Sequence, residues 1–284
     1  MRNKELKIII TGGSGFIGSH LVKYLSSKKN VAVVALSRKQ TSYSHLISDY
    51  ADSPEGDVLI HLAESNSNES FLSNAKKSLD TIEVLSRKRY RRIIYISSAV
   101  LYGDASSIIH SPKDKIFLNT LYSKEKFHSE KVVLRNSNGI VLRLANVYGP
   151  NMSKKSVLSQ ILEQIPKKAD LEVRDVNAIR DFVWIEDIVQ GISIVALSDQ
   201  NFEKEFRIYN LGTGVGTSIG NLARLTLDLS GHSERLIVSQ SREIEKSVII
   251  LDYSETNRIF GWKPNTSIES GVKKILKINN LVEL

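Results

Sequence analysis

A tyrosine and a lysine stand four residues apart where a helical pattern begins. They are Tyr122 and Lys126, and their spacing places them on one face of the helix with β-carbons about 5 to 6 Å apart. A fixed ammonium beside a phenol stabilises the phenolate, so it lowers a pKa that starts at about 10. We therefore predict that Tyr122 exchanges a proton with an alcohol near neutral pH.

A serine is the expected partner of this pair. The apolar strand pattern at 93–96 ends in Ser97 and Ser98, and ligands of parallel sheets bind at the carboxyl ends of the strands. Ser98 can therefore hydrogen-bond the same substrate oxygen as Tyr122. A tyrosine and a lysine at this spacing are common on surface helices. Their combination with the serine and with the glycine turn described next indicates an active site.

Glycines at 12, 15 and 18 separate the first strand pattern (7–11) from the first helix pattern (16–27). A tight turn, a close backbone approach and close helix packing each require the absence of a β-carbon, and the helix N-terminus offers free N–H groups to a pyrophosphate. The turn predicts dinucleotide binding, and the alternative is a turn without a ligand. The residues expected to touch the dinucleotide here are Gly12, Gly15, Phe16, Ile17 and Gly18.

The residues after the second strand pattern (31–36) choose between the two nicotinamide cofactors. An acidic residue there would bind the ribose hydroxyls of NAD, whereas this chain has Ser37, Arg38 and Lys39. A hydroxyl and two cations suit the 2′-phosphate of NADP, so NADP is favoured over NAD. The alternative is that Arg38 and Lys39 belong to a solvated loop.

Apolar strands alternate with amphipathic helices through the first half of the chain. The apolar runs are continuous, which is typical of a parallel sheet covered by helices on both faces. We predict an α/β fold with a doubly wound parallel sheet in residues 1–150, which also receives 178–215, and a smaller, discontinuous α/β lobe in 151–284 that binds the substrate. The strand patterns lie at 7–11, 31–36, 58–62, 93–96 and 140–144, and the helical ones at 16–27, 71–87 and 123–134.

The composition excludes several classes of site. The 284 residues include no cysteine, which excludes disulfides, thiolate metal sites and cysteine nucleophiles, and no metal site is predicted. The content of 41% hydrophobic and 25% charged residues is that of a globular protein. The apolar stretch at 8–10 is too short for a signal sequence or a membrane span, so we expect a cytoplasmic protein without a membrane partner.

Positive charge exceeds negative charge along the chain. The 39 basic and 31 acidic residues give a formal net charge of +8. This balance suits a solvated surface, a nucleic-acid partner or a small polyanionic ligand that the positive field attracts. The basic clusters are scattered among helix ends and loops, so nucleic acid is not the expected partner.

Eight segments occur in the order found in one known family. They lie at 11–18, 61–63, 97–103, 122–126, 143–150, 180–187, 210–214 and 260–264. On these segments the chain resembles the extended short-chain dehydrogenase/reductase family, which contains the NAD(P)-dependent epimerases, dehydratases and reductases of nucleotide-sugars. The resemblance covers essentially the whole chain and implies a Rossmann-type first domain.

The resemblance assigns roles around the cofactor. It implies that Ser98, Tyr122 and Lys126 form a catalytic triad, that Tyr122 and Lys126 also touch the cofactor, and that Ser98 also touches the substrate. Leu62 and Ala63 would lie beside the cofactor. On this basis the NAD(P) site and the proton-exchange site are adjacent.

The resemblance also implies how the substrate is bound. Asn146 and Arg180 would hold the diphosphate of a nucleotide-diphosphate sugar, while the C-terminal lobe selects the sugar. A guanidinium fork matches a diphosphate, which supports the role of Arg180 on physical grounds. The alternative for Arg180 is a structural ion pair with Asp181 or Asp187.

A homodimer joined through a pair of helices is the assembly that the resemblance implies. The second helix of the pair begins at Tyr122, and the first carries apolar residues at helical spacing. The alternative is that this apolar stripe packs on the sheet as ordinary core. Its members are Phe71, Leu72, Ala75, Leu79 and Ile82.

Three departures from the family pattern narrow the reaction. The 4,6-dehydratases carry Asp-Glu after the catalytic hydroxyl, whereas this chain has Ala99 and Val100, so dehydration is not expected. The segment 40–56 is short for a third strand and its helix, which leaves the adenine contact open between Asp49 and Asp52. Glu64 stands where a small residue is usual, and its role is left open.

These observations predict hydride transfer at C4 of a sugar, with Tyr122 as the acid and base. Return of the hydride to the opposite face gives an epimerase, and use of NADPH on a 4-keto sugar gives a reductase. Both remain open. The alternatives from other classes are a catalytically silent NAD(P)-binding regulator and a nucleic-acid-binding member of the same fold.

Overall fold

The structure is a computed structural model, and it describes residues 5–63, 71–103, 109–167, 169–199, 207–241 and 247–281. The chain forms two compact units. The first unit comprises Met1–Leu101, Ile116–Arg143 and Val189–Tyr209, and the second comprises Tyr102–Lys115, Leu144–Ile188 and Asn210–Leu284.

Strands and helices occur throughout the described part of the chain. The strands are β1 (Leu6–Thr11), β2 (Val31–Ser37), β3 (His45–Leu46), β4 (Val58–His61), β5 (Arg92–Ser98), β6 (Ile109–His110), β7 (Gly139–Leu144), β8 (Asn146–Tyr148), β9 (Leu171–Val173), β10 (Ile179–Trp184), β11 (Ile208–Leu211), β12 (Gly216–Ser218), β13 (Ile237–Ser239) and β14 (Val248–Leu251). The helices are α1 (Phe16–Ser26), α2 (Phe71–Ser86), α3 (Leu121–Leu134), α4 (Val157–Leu162), α5 (Ile185–Leu197), α6 (Ile219–Leu229), α7 (Ser254–Phe260) and α8 (Ile268–Ile278).

The first unit is built on a sheet with the strand order β11-β7-β5-β4-β1-β2-β3. β1 pairs in parallel with β2 and β4, and β4 pairs in parallel with β5. The residues of β4 and β7 are buried throughout, as a sheet with helices on both faces requires. The predicted doubly wound α/β fold is confirmed.

The segment 40–56 contains a shortened third strand. β3 has two residues and pairs in parallel with the end of β2, and a single 3-10 turn follows at Tyr50–Asp52. Asp49 caps this turn because its Oδ1 accepts a hydrogen bond from the Ala51 N–H at 2.9 Å. One of the two aspartates considered for the adenine thus has a structural hydrogen bond.

The second unit contains a mixed sheet and a smaller parallel pair. Its strand order is β12-β10-β14-β6, with β8 parallel to β10, and β9 pairs in parallel with β13. The carboxylate of Asp181, buried on β10, accepts hydrogen bonds from the backbone N–H groups of Thr213, Gly214 and Leu251. This one side chain therefore ties β10 to β14 and to the loop after β11.

Arginines cap the carboxyl ends of several helices. Arg92 is 4% exposed and donates to the carbonyls of Val195 and Ser198 at the end of α5. Arg207 donates to Leu134 O at the end of α3, and Arg235 donates to Ile165 O after α4. The last carbonyls of a helix lack intrahelical partners and carry partial negative charge. Part of the positive excess therefore stabilises the fold.

We expect Arg92→Met to lower the free energy of unfolding by about 2 to 4 kcal/mol, because two buried carbonyls lose a charged donor. Urea unfolding measures this loss. The matched control is Arg91→Met, since Arg91 is 39% exposed and pairs with the 96% exposed Asp199, and such surface pairs contribute about 0 to 1 kcal/mol. Equal urea midpoints for the two variants would contradict the capping role.

No helix in the described part of the chain is both long and apolar enough to cross a membrane.

Candidate functional site

The capping of α3 places Tyr122 in the first turn of the helix. The Oγ1 of Thr120 accepts the Ser123 N–H at 3.0 Å, and the Oγ of Ser123 accepts the Thr120 N–H at 3.1 Å. This reciprocal pair fixes where α3 begins. Ser98, the last residue of β5, hydrogen-bonds the phenol of Tyr122. The first unit thus brings together the serine and the tyrosine that the sequence predicted.

Lys126 lies one turn further along α3 and is 4% exposed. Its Nζ donates a hydrogen bond to Ile96 O of β5 at 2.8 Å. The same nitrogen lies 4.9 Å from the ring centre of Tyr95 and 5.8 Å from that of Tyr122. Burial lowers the pKa of Lys126 to about 7, and the negative charge of Glu130 opposes this shift. The lysine is therefore poised to change its charge near neutral pH.

The pKa of Tyr122 differs from the sequence expectation. Burial of the phenol raises this pKa, the hydrogen bond from Ser98 lowers it, and Glu125 raises it. The net shift is therefore upward, opposite to the predicted lowering, because desolvation of the phenol outweighs the hydrogen bond of Ser98.

The glycine turn provides a cradle that side chains would fill. Gly12 has φ +73°, and a Cβ there would lie 2.9 Å from Ala63 N. A Cβ on Gly18 would lie 2.2 Å from Gly12 O. Gly15 is the N-cap of α1 and has no side chain to cover the first N–H groups. The turn therefore fits a pyrophosphate held by backbone N–H groups at a helix N-terminus.

The hydroxyl of Ser37 is engaged within the protein. Ser37 is 1% exposed, its Oγ hydrogen-bonds the Oγ of Ser14 in the glycine turn, and it accepts the Lys39 N–H at 3.0 Å. Arg38 and Lys39 are exposed, and the Arg38 guanidinium lies 5.8 Å from the ring centre of Tyr50. Ser37 thus organises the turn, while the two cations are the groups that face outward.

Arg38 also borders a small hollow of about 30 Å³ in the first unit. The hollow reaches from the end of β2 to the middle of α2, and Asp49 and Lys77 border it as well. Sequence reasoning did not consider Lys77, because its position on a helix far along the chain gives no sign of this contact.

His61 is a buried neutral group beside Lys126. Its Nδ1 is 2.7 Å from Thr11 Oγ1, and its ring stacks on Tyr95 with 6.0 Å between centres. Burial and the nearby charge of Lys126 lower the pKa of His61 to about 3. The imidazole is therefore uncharged at neutral pH and adds no positive charge beside the lysine.

A cavity of about 750 Å³ lies within the second unit. Asn146 of β8 pairs in register with Phe182 of β10, and Arg180 is two residues before Phe182 on the same face of that strand. Asn146 and Arg180 both line the cavity. The structure thus brings together the two residues predicted to bind the diphosphate.

Two further cations line this cavity, Lys155 and Arg174. Sequence reasoning missed both as site residues: Lys155 belongs to a basic pair in a linker-like stretch, and Arg174 ends a strand-like piece. The signal available was the position of Arg174 six residues before Arg180. With Arg180, they give the cavity three positive side chains.

The carboxylates considered as partners of Arg180 have structural hydrogen bonds. Asp181 follows Arg180 on the strand, so it points to the opposite face, where backbone N–H groups surround it. Asp187 accepts the N–H groups of Asn265 and Thr266. The guanidinium of Arg180 donates to Ser247 Oγ at 2.6 Å and to Ser247 O at 2.9 Å. The guanidinium is thus held by structural hydrogen bonds, and its predicted role at the diphosphate stays a prediction.

A family model described as the NAD dependent epimerase/dehydratase family matches residues 8–212. The chain belongs to this family. The predicted resemblance to NAD(P)-dependent nucleotide-sugar enzymes is therefore confirmed.

Individual relatives of this epimerase/dehydratase chain differ in reaction. A putative UDP-glucose 4-epimerase of Methanocaldococcus jannaschii is 27% identical over 96% of this chain and 99% of its own length. A dTDP-D-glucose 4,6-dehydratase of Dictyostelium discoideum is 26% identical over 81% of this chain and 64% of its own length. The crystal structure of the UDP-glucuronic acid 4-epimerase from Bacillus cereus, in complex with UDP-glucuronic acid and NAD, has a TM-score of 0.82 at 21% identity and covers 97% of this chain and 100% of its own.

The remaining predicted positions of this family member are less informative. Ala99 and Val100 begin the 3-10 turn that follows Ser98. Leu62 follows β4, and its N–H donates to Thr11 O at 3.2 Å. Glu64 lies outside the described residues.

Of the apolar stripe predicted to join two copies, Ile82 is fully buried in the core of the first unit. Its place in an interface is therefore wrong, because its surface is already covered by that core. The side chains of Phe71, Leu72 and Ala75 lie outside the described residues.

Proposed function

We propose that this protein transfers a hydride at C4 of a nucleotide-sugar, as an epimerase or as a 4-keto-sugar reductase, with Tyr122 as the acid and base. The observation that carries the proposal is the hydrogen bond of Ser98 to Tyr122 above a buried Lys126. These groups lie in the unit that holds the glycine turn. We also propose that the first unit binds the cofactor and that the second binds the nucleotide-diphosphate portion of the substrate.

Each residue of the triad has a defined task in this reaction. Tyr122 removes the proton of the sugar hydroxyl when the alcohol is oxidised and returns it when the carbonyl is reduced. Ser98 hydrogen-bonds the same oxygen, and the ammonium of Lys126 favours the phenolate form of Tyr122. The nicotinamide cofactor supplies the hydride acceptor and donor when bound.

Backbone N–H groups and two basic side chains hold the cofactor in this proposal. Gly12, Gly15 and Gly18 keep the turn clear of β-carbons, and Phe16 and Ile17 offer the N–H groups of the first turn of α1 to the pyrophosphate. Leu62 and Ala63 border the nicotinamide side in this proposal. Arg38 and Lys39 favour NADP over NAD, while Ser37 holds the turn in shape through Ser14.

The double variant Arg38→Ala, Lys39→Ala should bind NADP about 10- to 100-fold more weakly and NAD almost unchanged, because only NADP loses charged hydrogen bonds of about 1.5 to 3 kcal/mol. Titration with both cofactors measures the difference. The charge-matched control is Lys28→Ala, Lys29→Ala at the end of α1, which should leave both affinities unchanged. Equal weakening of NAD and NADP would contradict the assignment.

Two analyses test the proposed function. The nicotinamide that copurifies with the protein separates its two forms: tightly held NAD supports the epimerase, and an empty site that prefers NADPH supports the reductase. Product analysis with UDP-, dTDP-, GDP- and CDP-sugars tests the reaction itself. A change at C4 without loss of water is expected, because Ala99 and Val100 supply no acid and base for dehydration. Loss of water from the sugar would overturn the choice of reaction.

A homodimer and a location in the cytoplasm remain predictions for this protein. Since Ile82 belongs to the core, an interface through α2 and α3 would need other residues of those helices, and Val84 of α2 is 42% exposed.

A further inference from the structure

A buried ion pair lies one helical turn beyond Lys126. The side chains of Glu130 on α3 and Arg143 on β7 are 1% and 3% exposed. Arg143 Nε donates to Glu130 Oε1 at 2.9 Å, and Arg143 Nη2 donates to Glu130 Oε2 at 2.7 Å. Taking two charges out of water is costly even in this two-pronged geometry. Neither residue of the pair has a role in the proposed reaction.

The pair is in line with the triad. Tyr122, Lys126 and Glu130 recur at intervals of four residues, so they share one face of α3. Lys126 bonds the carbonyl of Ile96 on β5, while Glu130 bonds Arg143 on the neighbouring strand β7. Two successive turns of the helix are thus fastened to two adjacent strands, and Lys126 lies between Tyr122 and the ion pair.

Glu130 is the nearby anion that acts on Lys126. The negative charge of Glu130 opposes the effect of burial on the pKa of Lys126. Burial raises the pKa of Tyr95 and lowers that of His61, so both are neutral at physiological pH. In the described part of the chain, the titratable groups near Lys126 are Tyr122 and Glu130 of α3, Tyr95 of β5 and His61 of β4. Glu125 precedes Lys126 on α3, and Arg143 of β7 pairs with Glu130.

We propose that Glu130 and Arg143 are positioning residues for Lys126. Arg143 holds the Glu130 carboxylate in the buried layer between α3 and β7, and the carboxylate favours the charged form of Lys126 in its buried site. The inference rests on the proposed function for its consequence, because a neutral Lys126 could not favour the phenolate of Tyr122.

The experiment measures the titration of Lys126 in the full chain without cofactor or substrate. NMR of lysine labelled at Cε and Nζ should show one residue titrating near pH 7, whereas surface lysines titrate at about 10.4. Loss of that signal in Lys126→Met assigns it. We expect Glu130→Gln to lower the midpoint by at least about half a pH unit, because the ammonium loses its anion. We expect Arg143→Gln to raise the midpoint, because the carboxylate then has no guanidinium beside it.

Matched variants separate positioning from stability. Arg92→Met also removes a buried charged group of the first unit, and it should lower stability without moving the Lys126 midpoint. Glu130→Asp keeps the charge and should restore most of the shift. A midpoint in Glu130→Gln equal to the wild type, or shifts of the same sign in both members of the pair, would overturn the proposal. If Glu130→Gln does not fold, the test rests on Arg143→Gln. An unchanged or lowered titration midpoint of Lys126 in that variant would also overturn the proposal.

This titration is independent of the reaction. A protein that converts no nucleotide-sugar can still show opposite shifts in Glu130→Gln and Arg143→Gln, in which case the proposed function fails and the inference stands. If the protein is fully active but Glu130→Gln leaves the titration midpoint of Lys126 unchanged, the proposed function stands and the inference fails.

Discussion

Tyr122→Phe should keep its affinity for the nicotinamide cofactor and lose at least about 100-fold in turnover, the typical effect of removing a general acid and base. The phenylalanine ring retains the packing of Tyr122 in the first turn of α3, while the proton acceptor is gone. The glycine turn and the helix N-terminus, which hold the cofactor in the proposed function, are untouched by the substitution.

The measurements are turnover of the nucleotide-sugar and titration with the cofactor on the same preparation. Tyr43→Phe is the matched control, since Tyr43 is 46% exposed compared with 38% for Tyr122, and it should leave both quantities unchanged. A Tyr122→Phe variant that keeps half its turnover would remove the tyrosine from the mechanism. Loss of cofactor binding alongside turnover would indicate a role in binding rather than in proton transfer.

The parts of the site that were predictable from the sequence are those that depend on local pattern. Glycines at fixed spacing between an apolar run and a helical pattern identify the turn, because each of these positions has little room for a β-carbon. The tyrosine and the lysine were assigned to one helix face by their spacing alone. The helical pattern at 16–27 predicted α1, which spans Phe16–Ser26.

Other parts depend on contacts between distant segments. The hydroxyl of Ser37 hydrogen-bonds Ser14 across the glycine turn, which no local pattern reveals. The raised pKa of Tyr122 follows from partial desolvation of its phenol, a property of packing rather than of spacing, although the residue stays 38% exposed. The core position of Ile82 has the same origin, since an apolar stripe looks alike whether it packs on a sheet or on a second copy.

The excess of basic residues also combines a property that the sequence shows with contacts that it does not show. The net charge of +8 was visible in the composition, but its use was not. Arg92, Arg207 and Arg235 donate to carbonyls at or just beyond helix ends, from positions far away in the sequence. Lys155, Arg174 and Arg180 meet in one cavity. Some of the basic residues thus cap helices, and others line one cavity. This distribution favours a small anionic ligand over nucleic acid.

Arg180→Ala should weaken binding of the nucleotide-sugar by about 2 to 5 kcal/mol, because it leaves a desolvated diphosphate without a charged partner. Arg180 lines the cavity together with Asn146, and its guanidinium is oriented by Ser247. Arg180→Lys should recover part of the loss, since it restores the charge without the planar fork. Affinity for the cofactor should barely change, because the glycine turn belongs to the first unit.

Thermal protection by UDP-, dTDP-, GDP- and CDP-sugars measures this loss, since a ligand of the folded state raises its stability in proportion to ln(1 + [L]/Kd). Each sugar is compared with NAD(P), which serves as the internal control. If Arg180→Ala unfolds the protein or weakens NAD(P) as much as the sugar, then the structural contacts of Arg180 with Ser247 outweigh any ligand role. If none of the four nucleotide-sugars protects the wild type, the cavity with its three cations binds some other polyanion, and the choice of substrate class is wrong.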